Sequence, residues 1–361
     1  MNISTPTVLL NWEVAQANIS RMAELAKING LHFRPHFKTH QCQVIGRHFR
    51  RFGVDAITVS SLAMAEYFAC DGWTDITVAF PVNVREIDAI ERLASKISLN
   101  LLVVNPESLA TLGNRLGSGV GIFIKIDVGT HRTGLAPADF SSIEAILQGI
   151  ERSPMLQFRG FLAHAGHSYK ARSKAGILAV HEETIPLMLH LKEKYRRHFP
   201  GIIVSVGDTP TCSVAENWEG IDEIRPGNFI FYDLMQVQIG SCSMEDIAVV
   251  LACPVVAKHP DRCEVILYGG AVHLSKDRMS WQGNEVFGLP VLLKAGGWEL
   301  PEPDCFMRSV SQEHGVIKCS PSFFEKTALG GLLGILPVHS CLTVDLANVY
   351  HTTGGEIWSK M

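Results

Sequence analysis

No run of lysine and arginine marks this sequence, and no stretch reaches the roughly 18 to 20 apolar residues that a membrane-spanning helix needs. The formal net charge is only -4 over 361 residues, with 32 basic and 36 acidic side chains. That balance leaves no electrostatic footprint for nucleic acid or an anionic membrane. The opening residues MNISTPTVLLNWEVAQ lack the basic stretch, apolar core and small-residue cleavage site of a secretory leader. The nine cysteines are an odd number and include no CxxC pair. Cys42, Cys70, Cys212 and Cys253 stand among apolar or small neighbours, so reduced thiols in a cytoplasm are expected. Low-complexity segments and Pro/Ser-rich linkers are missing too. No glycine-rich fingerprint follows the first strand-like run, which counts against an open dinucleotide-binding sheet.

What the sequence does hold is a regular alternation. Short runs rich in Val, Ile, Leu and Phe occur at 31–37, 54–60, 75–80, 98–104, 121–127, 156–164, 202–207 and 222–227. Between them lie segments such as FSSIEAILQGIERS, with apolar residues three and four apart, the helical spacing. Strand and helix alternating in this way predict a parallel sheet, and eight strands in about 230 residues fit a (β/α)8 barrel. From about residue 240 the pattern changes to strand-like runs without long helices, such as IAVVLACPVVAKH, CEVILYGGAVHL, VFGLPVLL and CLTVDLANVYHTTGG. Residues 1–240 are therefore expected to form an α/β barrel, and residues 241–361 a mainly antiparallel β domain. The first residues could add a strand to that second domain.

In a parallel barrel the functional side chains gather at the C-terminal ends of the strands. Those ends here read RPHFKTH (34–40), DVGTHRTG (127–134), HAGHSY (164–169), GDTPT (207–211) and RPGN (225–228). Strand alternation puts Arg34, His36 and Lys38 on one face and Phe33 and Phe37 on the other. The phenylalanines suit the layer between strands and helices, leaving Lys38 at the mouth of the barrel. A lysine near other cations and partly removed from water loses proton affinity and becomes a nucleophilic amine fit for a Schiff base. Gly207 to Thr211 and Arg225 to Asn228 follow late strands, where barrels often bind phosphate, although Asp208 is an awkward neighbour for one. His339 and Cys341 are two apart, so on an extended segment both would point to one side and suit a metal ion. Imidazole plus thiolate favours zinc over magnesium or calcium.

Taken in order, RPHFKTH, DVGTHRTG, HAGHSY, GDTPT, RPGNFIFYD, SQEHG and PVHSC resemble the D-threonine aldolase / D-serine dehydratase family over almost the whole chain. These are fold-type III, alanine-racemase-like enzymes. The resemblance implies an alanine-racemase-like barrel followed by a β domain, a homodimer, and pyridoxal 5'-phosphate (PLP) held as a Schiff base on Lys38. It places His36 and His164 at the cofactor, Arg132 near its phenolic oxygen, and Arg225 or Tyr169 near the pyridine ring. Gly207, Thr209, Gly227 and Asn228 would cradle the phosphate. A divalent metal, zinc before manganese or magnesium, would sit on His339 and Cys341. The implied substrate is a small D-amino acid with a β-hydroxyl, and Lys38 would also transfer the Cα proton. Cys341 favours a D-serine or D-threo-3-hydroxyaspartate dehydratase; the alternatives are a D-threonine or related 3-hydroxy-D-amino-acid aldolase, a racemase, and a non-catalytic PLP-binding protein.

Overall fold

In the computed structural model, which describes residues 2–361, all eight apolar runs between residues 31 and 227 form strands of one parallel sheet. A leading strand β1 (Thr7–Leu10) and helix α1 (Trp12–Ile28) precede them. The barrel strands are β2 (His32–Phe33), β3 (Ile57–Val59), β4 (Asp75–Pro81), β5 (Ser98–Val103), β6 (Val120–Ile126), β7 (Leu156–Ala163), β8 (Ile203–Val206) and β9 (Glu223–Ile224). Their order is β2-β9-β8-β7-β6-β5-β4-β3. The two ends of this path also meet. Phe37 N–H donates to Thr58 O at 2.8 Å and Thr58 N–H to Pro35 O at 2.9 Å, with a parallel bridge between His36 and Thr58. The sheet therefore closes into a barrel.

Helices α2 (Gln43–Phe49), α3 (Leu62–Ala69), α4 (Ile87–Ala94), α5 (Pro106–Arg115), α6 (Phe140–Glu151), α7 (Lys174–Tyr195) and α8 (Thr209–Val214) connect successive strands. Their starts are set by short polar caps. Ser61, Asn105, Asp139, Ser173 and Asp208 each accept a backbone N–H of the first turn. Their buried faces follow the helical period, as Ile143, Ile146, Leu147 and Ile150 do in α6. Phe37 is fully buried between sheet and helices, its ring centroid 5.0 Å from Phe49, 4.9 Å from Phe68 and 5.2 Å from Trp73. That is the layer the alternation in RPHFK predicts.

The chain divides into two compact units, residues 20–227 and residues 2–19 with Asn228–Met361. The second unit adds helix α9 (Leu234–Ile239), strands β10 (Val249–His259) and β11 (Glu264–Tyr268), and helix α10 (Ala271–Leu274). Then come β12 (Met279–Trp281), β13 (Asn284–Val286), β14 (Gly288–Lys294), β15 (Gly297–Trp298), β16 (Phe306–Val310) and β17 (His314–Lys318). Helix α11 (Pro321–Lys326), β18 (Leu332–Pro337), α12 (Ser340–Asp345), β19 (Val349–Thr352) and β20 (Ile357–Ser359) complete it. A ten-stranded sheet has the central order β15-β14-β18-β10-β1-β19-β20. Its pairings are antiparallel except β1 with β19, so the first residues do add a strand to this sheet. Two runs that read as strands contain helix instead: CLTVD lies in α12, and AVHL is α10. Among the described residues no helix is long and apolar enough to cross a membrane.

Candidate active site

Leaving β2, the chain places Arg34 fully inside the barrel, Phe37 in the aromatic layer and Lys38 exposed. His36 Nδ1 accepts the Lys38 backbone N–H at 3.3 Å, so the neutral ring carries its proton on Nε2. Burial holds His36 well below the usual imidazole range, helped by the positive charges of Lys38 and Arg225. His164 Nδ1 lies 2.8 Å from Gly207 O. A carbonyl only accepts, so Nδ1 is the donor and Nε2 keeps its lone pair. Burial, against that hydrogen bond, lowers His164 to about 3, and Lys38, Arg225 and Lys125 add to the effect. At neutral pH both imidazoles are uncharged.

Around them stand cations. Arg225, 4% exposed, donates from Nε to Ser205 Oγ at 2.6 Å and from Nη2 to Ala163 O at 2.5 Å. Burial lowers it to about 10. Lys125, 6% exposed on β6, is lowered to about 8 by burial and by the charges of Arg225 and Arg132. Lys125 was missed by sequence reasoning; its one signal is a lysine inside the apolar run GIFIKID, where a strand buried on both sides has no ordinary use for it. Arg132 is exposed, on a loop that Asp127 fixes by accepting the N–H groups of Gly129 and His131, each at 3.0 Å. Lys38, His36, His164, Arg225, Lys125 and Arg132 thus form one electrostatic cluster. Arg34, although on the same strand face as Lys38, belongs elsewhere: it binds Glu223 and Asp75 inside the barrel.

The expected phosphate cradle is laid out as follows. Gly207 has φ 150°, and a Cβ there would meet Arg225 N at 2.5 Å. A Cβ on Gly227 would meet His36 O at 2.9 Å and His36 Cβ at 3.0 Å, so only glycine lets this segment approach the Lys38 loop. Thr209 N–H donates to Tyr169 Oη at 3.4 Å, which places the Tyr169 hydroxyl at this loop, with its ring 6.4 Å from His164. Asp208 turns inward, accepting from Ser168 Oγ at 2.7 Å and from Thr211 N at 2.9 Å, so its carboxylate caps α8 instead of facing a phosphate. Burial nevertheless raises its pKa. The Asn228 side chain takes another direction: Nδ2 donates to Asp233 Oδ2 and Ser340 Oγ, both at 2.9 Å, and reaches Cys341 Sγ at 3.4 Å. Both Nδ2 protons of Asn228 are thus committed within the second unit.

His339 and Cys341 do meet, though not on an extended segment. His339 is the extended residue before α12, and Ser340 and Cys341 begin that helix. Ser340 N–H donates to the buried Asp233 Oδ2 at 3.0 Å, which pins the middle of the tripeptide. His339 Nδ1 lies 3.4 Å from Asp277 Oδ2. Burial lowers the imidazole pKa, but contact with Cys341 and the charges of Cys341, Asp233 and Asp277 outweigh it and carry the group up to about 9. So much negative charge around one imidazole suits a cation. Among the described residues no three His, Cys, Asp or Glu side chains are grouped to hold a metal ion. Glu313 and His273, 3.7 Å apart, brace each other.

Residues 11–234 match the alanine racemase N-terminal domain, and residues 248–353 a putative serine dehydratase domain. The chain is 32% identical to a D-serine dehydratase of Dictyostelium discoideum, over 98% of this chain and 94% of that protein. The chain belongs to the D-serine dehydratase / D-threonine aldolase family. Another member, D-threo-3-hydroxyaspartate dehydratase of Delftia sp. HT23, has a solved structure with TM-score 0.92 and 27% identity, covering 100% of this chain and 98% of that one. A cysteine-to-alanine mutant of that dehydratase is described as a metal-free form. A D-threonine aldolase of Arthrobacter is more distant, 22% identical over 95% of this chain and 87% of its own. PLP is the cofactor expected for the family, and an exposed lysine among neutral imidazoles and cations, beside glycines that admit close backbone approach, fits it.

Proposed function

We propose that the chain is a PLP-dependent, divalent-metal-assisted lyase that converts D-serine or D-threo-3-hydroxyaspartate into a 2-oxo acid and ammonia. The observation that carries this reading is the setting of Lys38, an exposed primary amine beside two uncharged imidazoles, in one electrostatic cluster with Arg225 and Lys125. The dehydratase reading is supported by the relatives so named, at 32% and 29% identity against 22% for the D-threonine aldolase. In this reading Lys38 holds PLP, Gly207, Thr209, Gly227 and the Asn228 backbone serve its phosphate, and Arg132 its phenolic oxygen. Arg225 or Tyr169 serves the ring. His339 and Cys341 hold the metal, zinc by their softness.

When bound, PLP supplies an electron sink for the Cα–H bond and the metal supplies Lewis acidity toward the β-hydroxyl. The protein's own groups do the rest. The Lys38 amine accepts the Cα proton as general base. His36 fixes the Lys38 loop through its hydrogen bond and, being neutral, does not repel the amine. His164, locked to Gly207 O, presents a bare Nε2 and no charge to the site. Asp208, turned inward, keeps its negative charge off the phosphate loop. Nine free thiols suit a reducing cytoplasm, and the homodimer implied by the family resemblance belongs to the same reading.

The test is product analysis of purified protein with PLP and zinc, offered D-serine, D-threonine and D-threo-3-hydroxyaspartate separately, with and without chelator. Chelator-sensitive release of ammonia and a 2-oxo acid is expected. Glycine with an aldehyde would make the enzyme an aldolase, and metal-independent exchange of enantiomers would make it a racemase.

A further inference from the structure

The inside of this barrel holds a column of charge below Arg225. Glu223 on β9 and Arg225 just beyond its end are two apart, and both are buried on the barrel interior beside Ser205. Ser205 of β8 lies directly beside Glu223 in the parallel register. Ser205 Oγ donates its only proton to Glu223 Oε1 at 2.6 Å, so toward Arg225 it can only accept, and it receives Nε–H at 2.6 Å. The other carboxylate oxygen, Oε2, is engaged by Arg34 Nε at 2.6 Å and by His32 Nδ1 at 3.0 Å. Arg34 in turn grips Asp75 from Nη1 at 2.7 Å and from Nη2 at 3.1 Å.

Two features separate Arg225 from Arg34. Among the described residues no carboxylate lies within ion-pair distance of Arg225, and its Nη1 makes no hydrogen bond. Its hydrogen-bonded link to a carboxylate runs through the Ser205 hydroxyl; Nη2 is held by Ala163 O and Ser205 O, and Nη1 is left over. We propose that Ser205 and Glu223 are positioning residues for Arg225: the carboxylate orients the serine hydroxyl, and the hydroxyl turns Nη1 toward an acceptor on the cofactor. This rests on the reading of Lys38 as the cofactor-bearing residue. Both act through Arg225 and are positioning residues rather than catalytic ones. Glu223 acts through Ser205, and Ser205 through Arg225.

The experiment compares wild type, Ser205→Ala and Ser205→Thr as full-length protein. Three readouts are taken: PLP affinity by titration, the visible absorbance maximum of the Lys38-bound cofactor with its pH dependence, and the melting temperature of the PLP-free protein. Losing a hydrogen bond to a charged group, Ser205→Ala is expected to bind PLP roughly tenfold or more weakly and to shift the absorbance and its pH midpoint. Its PLP-free melting temperature should fall as well, because Arg225 Nε and Glu223 Oε1 lose a buried partner, and Ser205→Thr, which keeps the hydroxyl, should restore affinity, spectrum and melting temperature. Unchanged affinity and spectrum in Ser205→Ala would overturn the proposal. So would a loss that follows a fall in the PLP-free melting temperature and is equal in Ser205→Thr, since that marks a role in packing alone. If borohydride fixes no PLP on Lys38 in the wild-type protein, the cofactor reading itself fails; that failure appears without any substitution and cannot be confused with the Ser205 result.

Discussion

Replacing Glu223 with Gln removes one negative charge from the most enclosed ion pair in the barrel. Glu223 is 1% exposed and accepts from Arg34, His32 and Ser205. Burial alone would raise its pKa, but Arg34, His32 and Ser205 outweigh burial and hold it at about 2, against 4.5 for a free glutamate. At about 1.4 kcal/mol per pKa unit, that depression corresponds to roughly 3 kcal/mol of stability. The sign follows from the direction. A group whose pKa falls on folding contributes fully above its unfolded value, here 4.5, and loses the contribution as the pH drops through about 2. His32, whose pKa is raised, titrates oppositely: its contribution is present below 6.5 and is lost as the pH rises above it, so it cannot imitate an acid loss. Breaking a buried pair from one side costs about 3–5 kcal/mol by mutation, which agrees in size. For a unit of about 200 residues this is a fall of roughly 10 °C in melting temperature. Calorimetry of the PLP-free proteins at pH 7, 5, 4 and 3 makes the check, with hydrogen exchange on β8 and β9 peptides to locate the loss. The gap between wild type and Glu223→Gln should be widest near pH 5, where Glu223 is ionised and His32 protonated, and close toward pH 3. A gap that is absent at pH 7, or constant across the series, would refute the argument that Glu223 acts as a paired carboxylate.

Lys38→Ala should abolish borohydride fixation of PLP and turnover while leaving the PLP-free melting temperature unchanged, because the side chain is exposed and makes no hydrogen bond to the described residues; mass spectrometry after reduction checks it. Cys341→Ala should weaken metal binding by more than the ~10–100-fold that loss of an outer-shell partner costs, with PLP binding intact; elemental analysis after dialysis reads the first and absorbance the second. Gly227→Ala should displace the Lys38 loop, since its Cβ would stand 2.9 Å from His36 O, and cost about 1–3 kcal/mol through overpacking. PLP affinity should fall and metal content should not.

Strand alternation made the barrel legible. Strands buried on both faces read as apolar runs, and all eight fall where those runs lie. The same alternation placed Phe37 in the aromatic layer and Lys38 at the mouth. It failed where the deciding neighbour is distant in sequence or where a local element was misjudged. His339 and Cys341 were paired on the premise of an extended segment, yet they meet because His339 precedes a helix whose first turn carries Cys341. Asp277 and Asp233, which enrich the charge there, lie 62 and 106 residues before His339 and carry no motif. Asn228 read as a phosphate residue by its RPGN context, but its amide is committed to Ser340 and Asp233.

Arg34 and Lys125 make the limit plain, because each is a cation in a strand that otherwise reads as barrel wall. Sequence proximity to Lys38 suggested that Arg34 would act on that amine. The structure gives Arg34 to a carboxylate 189 residues away, whereas the Lys125 side chain, near Lys38, Arg225 and Asp127, has no hydrogen-bonded partner among the described residues. A buried cation held by a carboxylate stabilises the fold, and one left unpaired among other cations is available to an anion. The residue type is the same in kind. What separates the two roles is the presence of Glu223 across the barrel, and that contact is fixed by the closure of β2 onto β9 rather than by anything adjacent in the chain.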